Sequence, residues 1–368
     1  MSKIVVTYTP CFRKNMIREI VSVDKNVKIL DVLSDSVLIF NSDLSFDDFA
    51  SKLIERKPIF VKHLMPIMKC GFIDEKYDED KYKILNDVSE IALFDEDKRF
   101  SVQCRIIKGG YSGLSYSSKD MEVFIGETYE KMGLIPVFSD NMLINENIKI
   151  ISILINKGRY YVGFSTSIQN FNFHCDEYRI CSKNGRQVSR AENKLKEALI
   201  KFDIKLNNKG YALDIGAAPG GWTKVLVDNG FVVYAVDPGN LKPELEENVN
   251  VRHYKCRIED LNFTDFFEII VNDMNVEPSV TAEIMNKLST SLQDNGVVII
   301  TLKLPDKVEE DIKKAVLILN QCYDILSIKT LFHNRQEVTV FARKKTFIKD
   351  KDIDKKDEKK KILKKGNK

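Results

Sequence analysis

Apolar and polar positions follow different periods along the chain, and the changes between them divide it into three blocks and a tail. Over residues 1–88, strand-like runs such as Lys3–Thr9 alternate with helical runs such as Phe12–Val21 and Phe46–Arg56. This alternation predicts a small α+β domain. The polar segment Tyr77–Glu90, which contains DEDKYK, is interpreted as a linker.

The second block, residues 89–178, combines strand and helix patterns in a different order. A strand-like FSVQCRI precedes a helical stretch around Met121–Met132, and two further strand-like runs follow, IKIISILIN and RYYVGFS. Lys157–Gly158 separates the last two runs and predicts the turn of a hairpin.

The third block, residues 179–345, alternates strands and helices throughout. Ser189 and Glu192 have the spacing of a capping box, which predicts that a helix begins there. The strand-like runs that follow are YALDIG, FVVYAVD, HYKCRI, EIIVND and VVIITLK, and the pair DILSIKTLF and EVTVFAR closes the block as a hairpin. The alternation predicts a doubly wound α/β domain whose parallel sheet carries one reversed strand.

Composition and charge exclude several classes of protein. Of the 368 residues, 43% are hydrophobic and 30% are charged, as in soluble globular proteins. The chain has neither an apolar run of membrane-spanning length nor an N-terminal signal core, so we expect a cytoplasmic protein without membrane contact. The cysteines and histidines are dispersed, so neither a disulfide framework nor a metal site is expected.

The net charge of +3 is unevenly distributed. The tail from residue 346 onward is rich in Lys, Asp and Glu and is expected to be disordered. Between Lys98 and Lys201, 16 basic residues stand against ten acidic ones. Because basic groups supply phosphate contacts, an RNA surface is predicted there. The candidates are Arg105, Lys108, Arg179, Arg186 and Arg190.

The motif DIGAAPGGW, residues 214–222, lies where the first strand of the third block turns into a helix. Glycines at such a turn let the backbone approach a ligand, and an acid at the strand end can hold a cationic group. Asp237 ends the next strand, where an acid binds the ribose hydroxyls of adenosine cofactors, and Asp260 is placed to accept from an adenine amino group. The candidate cofactor residues are Asp214, Gly216, Ala217, Pro219, Gly220, Gly221, Trp222, Asp237, Asp260 and Asp273. A nicotinamide dinucleotide is disfavoured, because Pro219 interrupts the loop and Asp214 would repel a pyrophosphate.

DIGAAPGGW resembles the glycine loop of the FtsJ-type 2′-O-ribose methyltransferases. The resemblance implies a Rossmann-like fold with a seven-stranded sheet, S-adenosylmethionine as cofactor, and a catalytic Lys-Asp-Lys-Glu tetrad. The matching positions are Lys194 in SRAENKL, Asp273 in VNDM, Lys303 in TLKLP and Glu337 in RQEVTV.

SRAENKLKEA, LKLP and LFHNRQEVTVFARK further resemble bacterial enzymes that methylate a cytidine ribose in 23S ribosomal RNA. That resemblance implies a ferredoxin-like segment over residues 1–88 and a THUMP RNA-binding domain over residues 89–178, and we expect a monomer. Two alternatives stay open: methylation of tRNA or another RNA, and an RNA-binding assembly factor without turnover.

The topology supports the tetrad independently of the resemblance. Asp273 and Lys303 end parallel strands, and Glu337 begins the reversed strand, so all three are predicted to lie at one edge of the sheet. A lysine can accept the proton of a ribose hydroxyl only when it is neutral. We therefore expect Lys194 and partial burial to lower the pKa of Lys303, the candidate base.

Overall fold

The computed structural model describes residues 1–107, 114–137, 147–171, 188–189, 191–206, 210–264 and 266–346. Within these ranges the chain forms a four-stranded, a five-stranded and a seven-stranded sheet. No helix in the described parts is long and apolar enough to cross a membrane.

The first unit is an antiparallel sheet with two helices on one face. It consists of β1 (Ser2–Thr7), α1 (Arg13–Val23), β2 (Lys28–Ser34), β3 (Val37–Ser42), α2 (Phe46–Glu55) and β4 (His63–Pro66). The strand order is β2-β3-β1-β4, and all pairs are antiparallel. This strand and helix order fits the ferredoxin-like expectation. Ile4, Val6, Phe40 and Phe49 pack in the core between the sheet and its helices.

The second unit is a mixed sheet flanked by helices. Its elements are β5 (Lys69–Phe72), α3 (Tyr77–Ile91), β6 (Arg99–Ile106), α4 (Ser118–Lys131), β7 (Ile135–Pro136), β8 (Lys149–Asn156), β9 (Arg159–Thr166) and α5 (Ser167–Asn170). The strand order is β5-β9-β8-β6-β7. Lys157 and Gly158 join β8 and β9 with positive φ angles of 46° and 74°, so the predicted hairpin turn is confirmed.

The interpretation of Tyr77–Glu90 as a linker is wrong, because the segment is helix α3. Ile84 and Val88, spaced i and i+4, are fully buried against the second sheet. Asp80 is also buried and accepts hydrogen bonds from the Tyr116 hydroxyl and the Asp74 backbone amide. The polar face of α3 accounts for its charged composition, and the apolar stripe fixes its place in the fold.

The third unit is the predicted doubly wound domain. Its helices are α6 (Ala191–Lys201), α7 (Gly221–Asp228), α8 (Pro243–Glu246), α9 (Pro278–Lys287) and α10 (Val308–Leu319). Its strands are β10 (Gly210–Ile215), β11 (Phe231–Val236), β12 (Val251–Tyr254), β13 (Phe267–Asn272), β14 (Leu292–Lys303), β15 (Tyr323–Lys329) and β16 (Glu337–Lys344). Short 3₁₀ turns occur at Pro10–Phe12, Ile258–Asp260 and Leu288–Ser291.

The seven strands lie in the order β12-β11-β10-β13-β14-β16-β15, and β16 runs antiparallel to both of its neighbours. Leu195 and Trp222 pack from α6 and α7 on one face of the sheet, and Met285 and Ile312 pack from α9 and α10 on the other. The predicted Rossmann-like fold with one reversed strand is therefore confirmed.

The capping box at Ser189 and Glu192 is wrong in detail. The Ser189 hydroxyl is buried without a hydrogen-bond partner among the described residues. The Glu192 carboxylate instead accepts from the backbone amide of Val188 and forms an ion pair with Lys196. The helix nevertheless starts at Ala191, close to the predicted position.

The first unit docks onto the third. Asn15 and Arg18 of α1 donate to Glu309 of α10 at 3.1 and 2.8 Å. The backbone amide of Thr330, just after β15, donates to the carbonyl of Ile59 at 2.9 Å. The first unit therefore contacts the loop between β15 and β16, which leads directly into the candidate active site.

Candidate active site

Three aspartates meet at the carboxyl edge of the seven-stranded sheet. Asp214 lies in β10, whose last residue Ile215 pairs with Val236 of β11 and Asn272 of β13. Asp237 and Asp273 immediately follow those two strands. Parallel strands that end in register place their terminal side chains together, at the edge where ligands bind in such sheets.

Lys194, Asp273, Lys303 and Glu337 form a closed ring of alternating charges. The Lys194 ammonium lies 2.7 Å from Asp273 Oδ2 and 3.0 Å from Glu337 Oε1. The Lys303 ammonium lies 2.8 Å from Asp273 Oδ1 and 2.5 Å from Glu337 Oε2. The structure thus brings together all four residues of the predicted tetrad, from positions up to 143 residues apart.

Secondary structure fixes each member of the ring. Lys303 ends β14 and pairs with Glu337, the first residue of the antiparallel β16. Lys194 lies on α6, and the Trp222 indole N–H anchors that helix by donating to the carbonyl of Ala191 at 2.7 Å. Trp222 is buried, and it links the helix of Lys194 to the glycine loop.

The expected fall in the pKa of Lys303 is wrong. Burial would lower the pKa of this ammonium, but the adjacent carboxylates of Asp273 and Glu337 raise it above its ordinary value. Conversely, Lys194 and Lys303 outweigh burial at Glu337 and lower the pKa of its carboxyl. The expectation failed because Lys194 is neutralised by the same two carboxylates instead of acting on Lys303 as an isolated positive charge.

Exposure distinguishes the two lysines. The Lys303 side chain is 20% exposed, whereas those of Lys194, Asp273 and Glu337 are 12%, 13% and 9% exposed. A hydroxyl group approaching from solvent therefore reaches Lys303 more readily than Lys194.

The glycine loop turns sharply where it leaves β10. Gly216 and Gly220 have φ angles of +74° and +108°, which favour glycine. A Cβ on Gly220 would also approach Leu245 Cδ1 to 2.2 Å. Asp237 secures the loop, because its carboxylate accepts from the amides of Ala218 and Gly239 at 3.1 and 2.7 Å. Ala217, Pro219 and Gly221 complete the loop, and a cis peptide joins Ala218 to Pro219.

Asp214 is completely buried beneath this loop. Its Oδ2 accepts from the Thr223 hydroxyl at 2.6 Å, while its Oδ1 has no hydrogen-bond partner among the residues that the structure describes. Burial, reinforced by Asp273 and Asp237, raises the pKa of Asp214 to about 7. An unpaired oxygen on a buried carboxyl group is costly, and a cationic or hydrogen-donating ligand would satisfy it.

The remaining predicted site residues are less tightly held. Asp260 lies exposed in the 3₁₀ turn after β12, at the same edge of the sheet. Arg105 is half-buried and lines a small cavity with His63 and Gln103, between the first and second sheets. Lys108, Arg179, Arg186 and Arg190, as well as the tail from residue 347, lie outside the described residues.

The residues that hold the loop between β15 and β16 were not predicted from the sequence. Asn334 is buried and donates to Glu337 Oε1 at 3.3 Å, while its own Oδ1 accepts from the Leu331 amide at 2.7 Å. Glu197 of α6 accepts from the ring and the amide of His333. The Asn334 contacts span three residues, whereas the contact between Glu197 and His333 joins segments 136 residues apart, so no local pattern in the sequence marks it.

The part of the chain that carries this site resembles a known protein family. Residues 187–364 match the family model described as FtsJ-like methyltransferase. This part of the chain is therefore similar to the FtsJ-like methyltransferases. In the FtsJ-like domain, no group of three or more His, Cys, Asp or Glu side chains in the described ranges could hold a metal ion.

Individual relatives match with about one third identity. An uncharacterised protein of Methanocaldococcus jannaschii is 33% identical over 169 residues, which cover 43% of this chain and 47% of that protein. The ribosomal RNA large subunit methyltransferase M of Aggregatibacter aphrophilus is 32% identical over 206 residues, 50% of this chain and 54% of the enzyme. Its namesake in a Shewanella species is 33% identical over 227 residues, 55% of this chain and 60% of the enzyme. The chain thus spans about half the length of the curated relatives that it matches.

Proposed function

We propose that this protein is an S-adenosylmethionine-dependent methyltransferase that modifies a ribose 2′-hydroxyl of 23S ribosomal RNA. The observation that carries the proposal is the ring of Lys194, Asp273, Lys303 and Glu337 at the ligand-binding edge of an FtsJ-like domain. The names of the matched bacterial enzymes support the large ribosomal subunit as the source of the substrate. In this proposal the enzyme acts as a monomer in the cytoplasm.

The residues of the glycine loop fit S-adenosylmethionine. Asp214 offers an unpaired buried oxygen, which suits the cationic amino group of the cofactor. Asp237 would hold the ribose hydroxyls and Asp260 the adenine amino group. Three aspartates at one edge would repel the pyrophosphate of a nicotinamide dinucleotide, whereas they attract a cofactor that carries positive charge.

In the proposed reaction the cofactor supplies the methyl group, and the chain orients the ribose hydroxyl and removes its proton. The neutral amine form of Lys303 Nζ is the proton acceptor and becomes the ammonium, because Lys303 is the more exposed lysine of the ring. Asp273 and Glu337 hold Lys303 and Lys194 in fixed positions and balance their charge. In-line placement of the reactants then supplies much of the acceleration.

The front half of the chain has the role of holding RNA in this proposal. The ferredoxin-like and THUMP assignments rest on resemblance and on the strand order of the first unit. The surplus of basic residues between Lys98 and Lys201, with Arg105 among them, supplies the phosphate contacts that fix the register of the substrate.

Mapping of 2′-O-methyl groups tests the function directly. Total RNA from cells with and without the gene is expected to differ at one ribose of 23S rRNA. Restoring the gene should restore that methyl group, and restoring it with Lys303→Ala should not. If a methyl group is instead lost from tRNA, the substrate is tRNA and not 23S rRNA. An unchanged map would contradict the proposed function.

Cofactor binding gives a second test. We expect calorimetry to show binding of S-adenosylmethionine but not NAD, and Asp237→Ala to weaken that binding by about tenfold or more, since hydrogen bonds to a charged group are lost. Asp294→Ala is the matched control, because Asp294 is exposed near the start of β14, at the opposite edge of the sheet. Tight NAD binding, or equal losses in both variants, would refute the cofactor assignment.

A further inference from the structure

An exposed aromatic ring lies on the loop that leads into Glu337. Phe332 is 45% exposed, whereas its neighbours Leu331 and Asn334 are 1% and 4% exposed. The loop between β15 and β16 therefore buries the side chains of Thr330, Leu331 and Asn334 and directs its largest side chain outward. A single exposed phenylalanine is common on protein surfaces, so its surroundings decide whether it has a role.

The position of Phe332 is fixed by Glu197. The Glu197 carboxylate accepts from the amide of Phe332 at 2.6 Å, and from the amide and the ring Nδ1 of His333 at 3.0 and 2.9 Å. Glu197 follows Lys194 by three residues on α6, so the two lie about one helical turn apart on the same face. The residue with the exposed ring is thus held by the helix that carries Lys194.

The first unit contributes a cation to the same place. The Lys62 ammonium lies 5.4 Å from the centroid of the Phe332 ring. The backbone of Lys62 is held by a hydrogen bond from its amide to the carbonyl of Thr7 at 2.9 Å. The thiol of Cys11 donates to the carbonyl of Arg335. Together with the hydrogen bond between Thr330 and Ile59, the first unit thus contacts the loop both before and after Phe332 in sequence.

We propose that Phe332 and Lys62 form a stacking site for an unpaired base of the RNA substrate, next to the ribose that is methylated. The inference rests on the proposed function and adds a subsite to it. An aromatic face accepts any base by stacking, and an adjacent ammonium attracts the phosphate that follows. Single-stranded RNA presents such bases, whereas a paired helix hides them. Because Lys62 comes from the first unit, docking of that unit completes the subsite.

Tryptophan fluorescence tests the stacking without requiring turnover. The native Trp222 is buried and is present in every variant, so a tryptophan introduced by Phe332→Trp adds an exposed signal. Titration with a short oligocytidylate is expected to quench that signal. Leu317→Trp is the control, because Leu317 is 72% exposed on α10 of the same domain. Equal quenching in both variants, or none in Phe332→Trp, would overturn the proposal.

Kinetics with the RNA substrate separate the subsite from the chemistry. Phe332→Ala is expected to raise KM for RNA about tenfold, because one base loses its stacking partner. The value of kcat and the affinity for S-adenosylmethionine should stay within about twofold, and Phe332→Tyr should restore the wild-type KM. An unchanged KM in Phe332→Ala would refute the subsite while leaving the proposed function intact. Conversely, if the wild-type protein methylates no RNA but the fluorescence of the Phe332→Trp variant is quenched, the proposed function would be refuted and the stacking subsite would stand.

Discussion

Replacing Lys303 with alanine is expected to reduce methyl transfer by at least about a thousandfold while leaving cofactor affinity nearly unchanged. A positioned proton acceptor contributes roughly 10²–10⁴-fold to such reactions. The loss should exceed the lower end of that range, because the variant also leaves Asp273 and Glu337 sharing one lysine. Single-turnover assays with radiolabelled cofactor measure the rate, and calorimetry measures the affinity. Lys307→Ala is the matched control, since Lys307 lies four residues away and is 76% exposed.

The pH dependence of the wild-type rate shows whether Lys303 acts as a base. Its pKa is raised by Asp273 and Glu337, so the ammonium is protonated near neutral pH. The reactive neutral form then increases about tenfold per pH unit up to that raised pKa, and the rate of the chemical step should rise with it. A rate independent of pH between 7 and 9, together with an inactive Lys303→Ala, would instead assign a charged, orienting role to Lys303.

The sequence predicted the place of the tetrad because strand order and strand ends determine it. Asp273 and Lys303 follow strongly apolar runs, and the hairpin that ends in β16 had to return Glu337 to the same edge. The pKa of Lys303 could not be predicted in the same way. The direction of its shift depends on two carboxylates within 3 Å, which raise the pKa of Lys303 more than burial lowers it. Those distances arise only after folding.

Helix α3 illustrates a different kind of failure. Its charged composition suggested a linker, yet Ile84 and Val88 keep the spacing of a buried helical stripe. The buried Asp80 is satisfied by Tyr116, which lies 36 residues away in sequence. Local composition therefore predicted a linker wrongly, because a few buried side chains and one distant hydrogen-bond partner determine that this segment is a helix.

The contacts of the loop between β15 and β16 could not be predicted from the sequence either, because they too depend on distant partners. Glu197 reaches Phe332 and His333 across more than 130 residues, and Lys62 reaches Phe332 from another unit. His333 lies in the turn between these two strands. What the pattern could not indicate is that a buried carboxylate holds this turn beside Lys194.

Asp214→Asn is expected to weaken S-adenosylmethionine binding by about 10- to 100-fold, because a charged acceptor is replaced by a neutral amide. The asparagine carbonyl can still accept from Thr223, so the local packing is retained. Asp228→Asn is the control, since Asp228 is half-exposed on α7 and forms an ion pair with Lys224 on the same helix. Isothermal titration with each variant gives the comparison.

The pH dependence of the same two proteins separates loss of binding from loss of folding. The pKa of Asp214 is raised to about 7 in the folded chain, well above the ordinary value of 3.8. The folded state therefore holds a proton that the unfolded state releases, so this group makes the protein less stable as pH rises from about 4 to above 7. Asp214→Asn removes that penalty and should melt at a higher temperature than the wild type at pH 8.

A cationic ligand prefers the ionised carboxylate, so wild-type affinity for S-adenosylmethionine should increase between pH 6 and 7.5 while that of Asp214→Asn stays flat. A variant that melts earlier at pH 8 and still binds with wild-type pH dependence would show that Asp214 does not contact the cofactor.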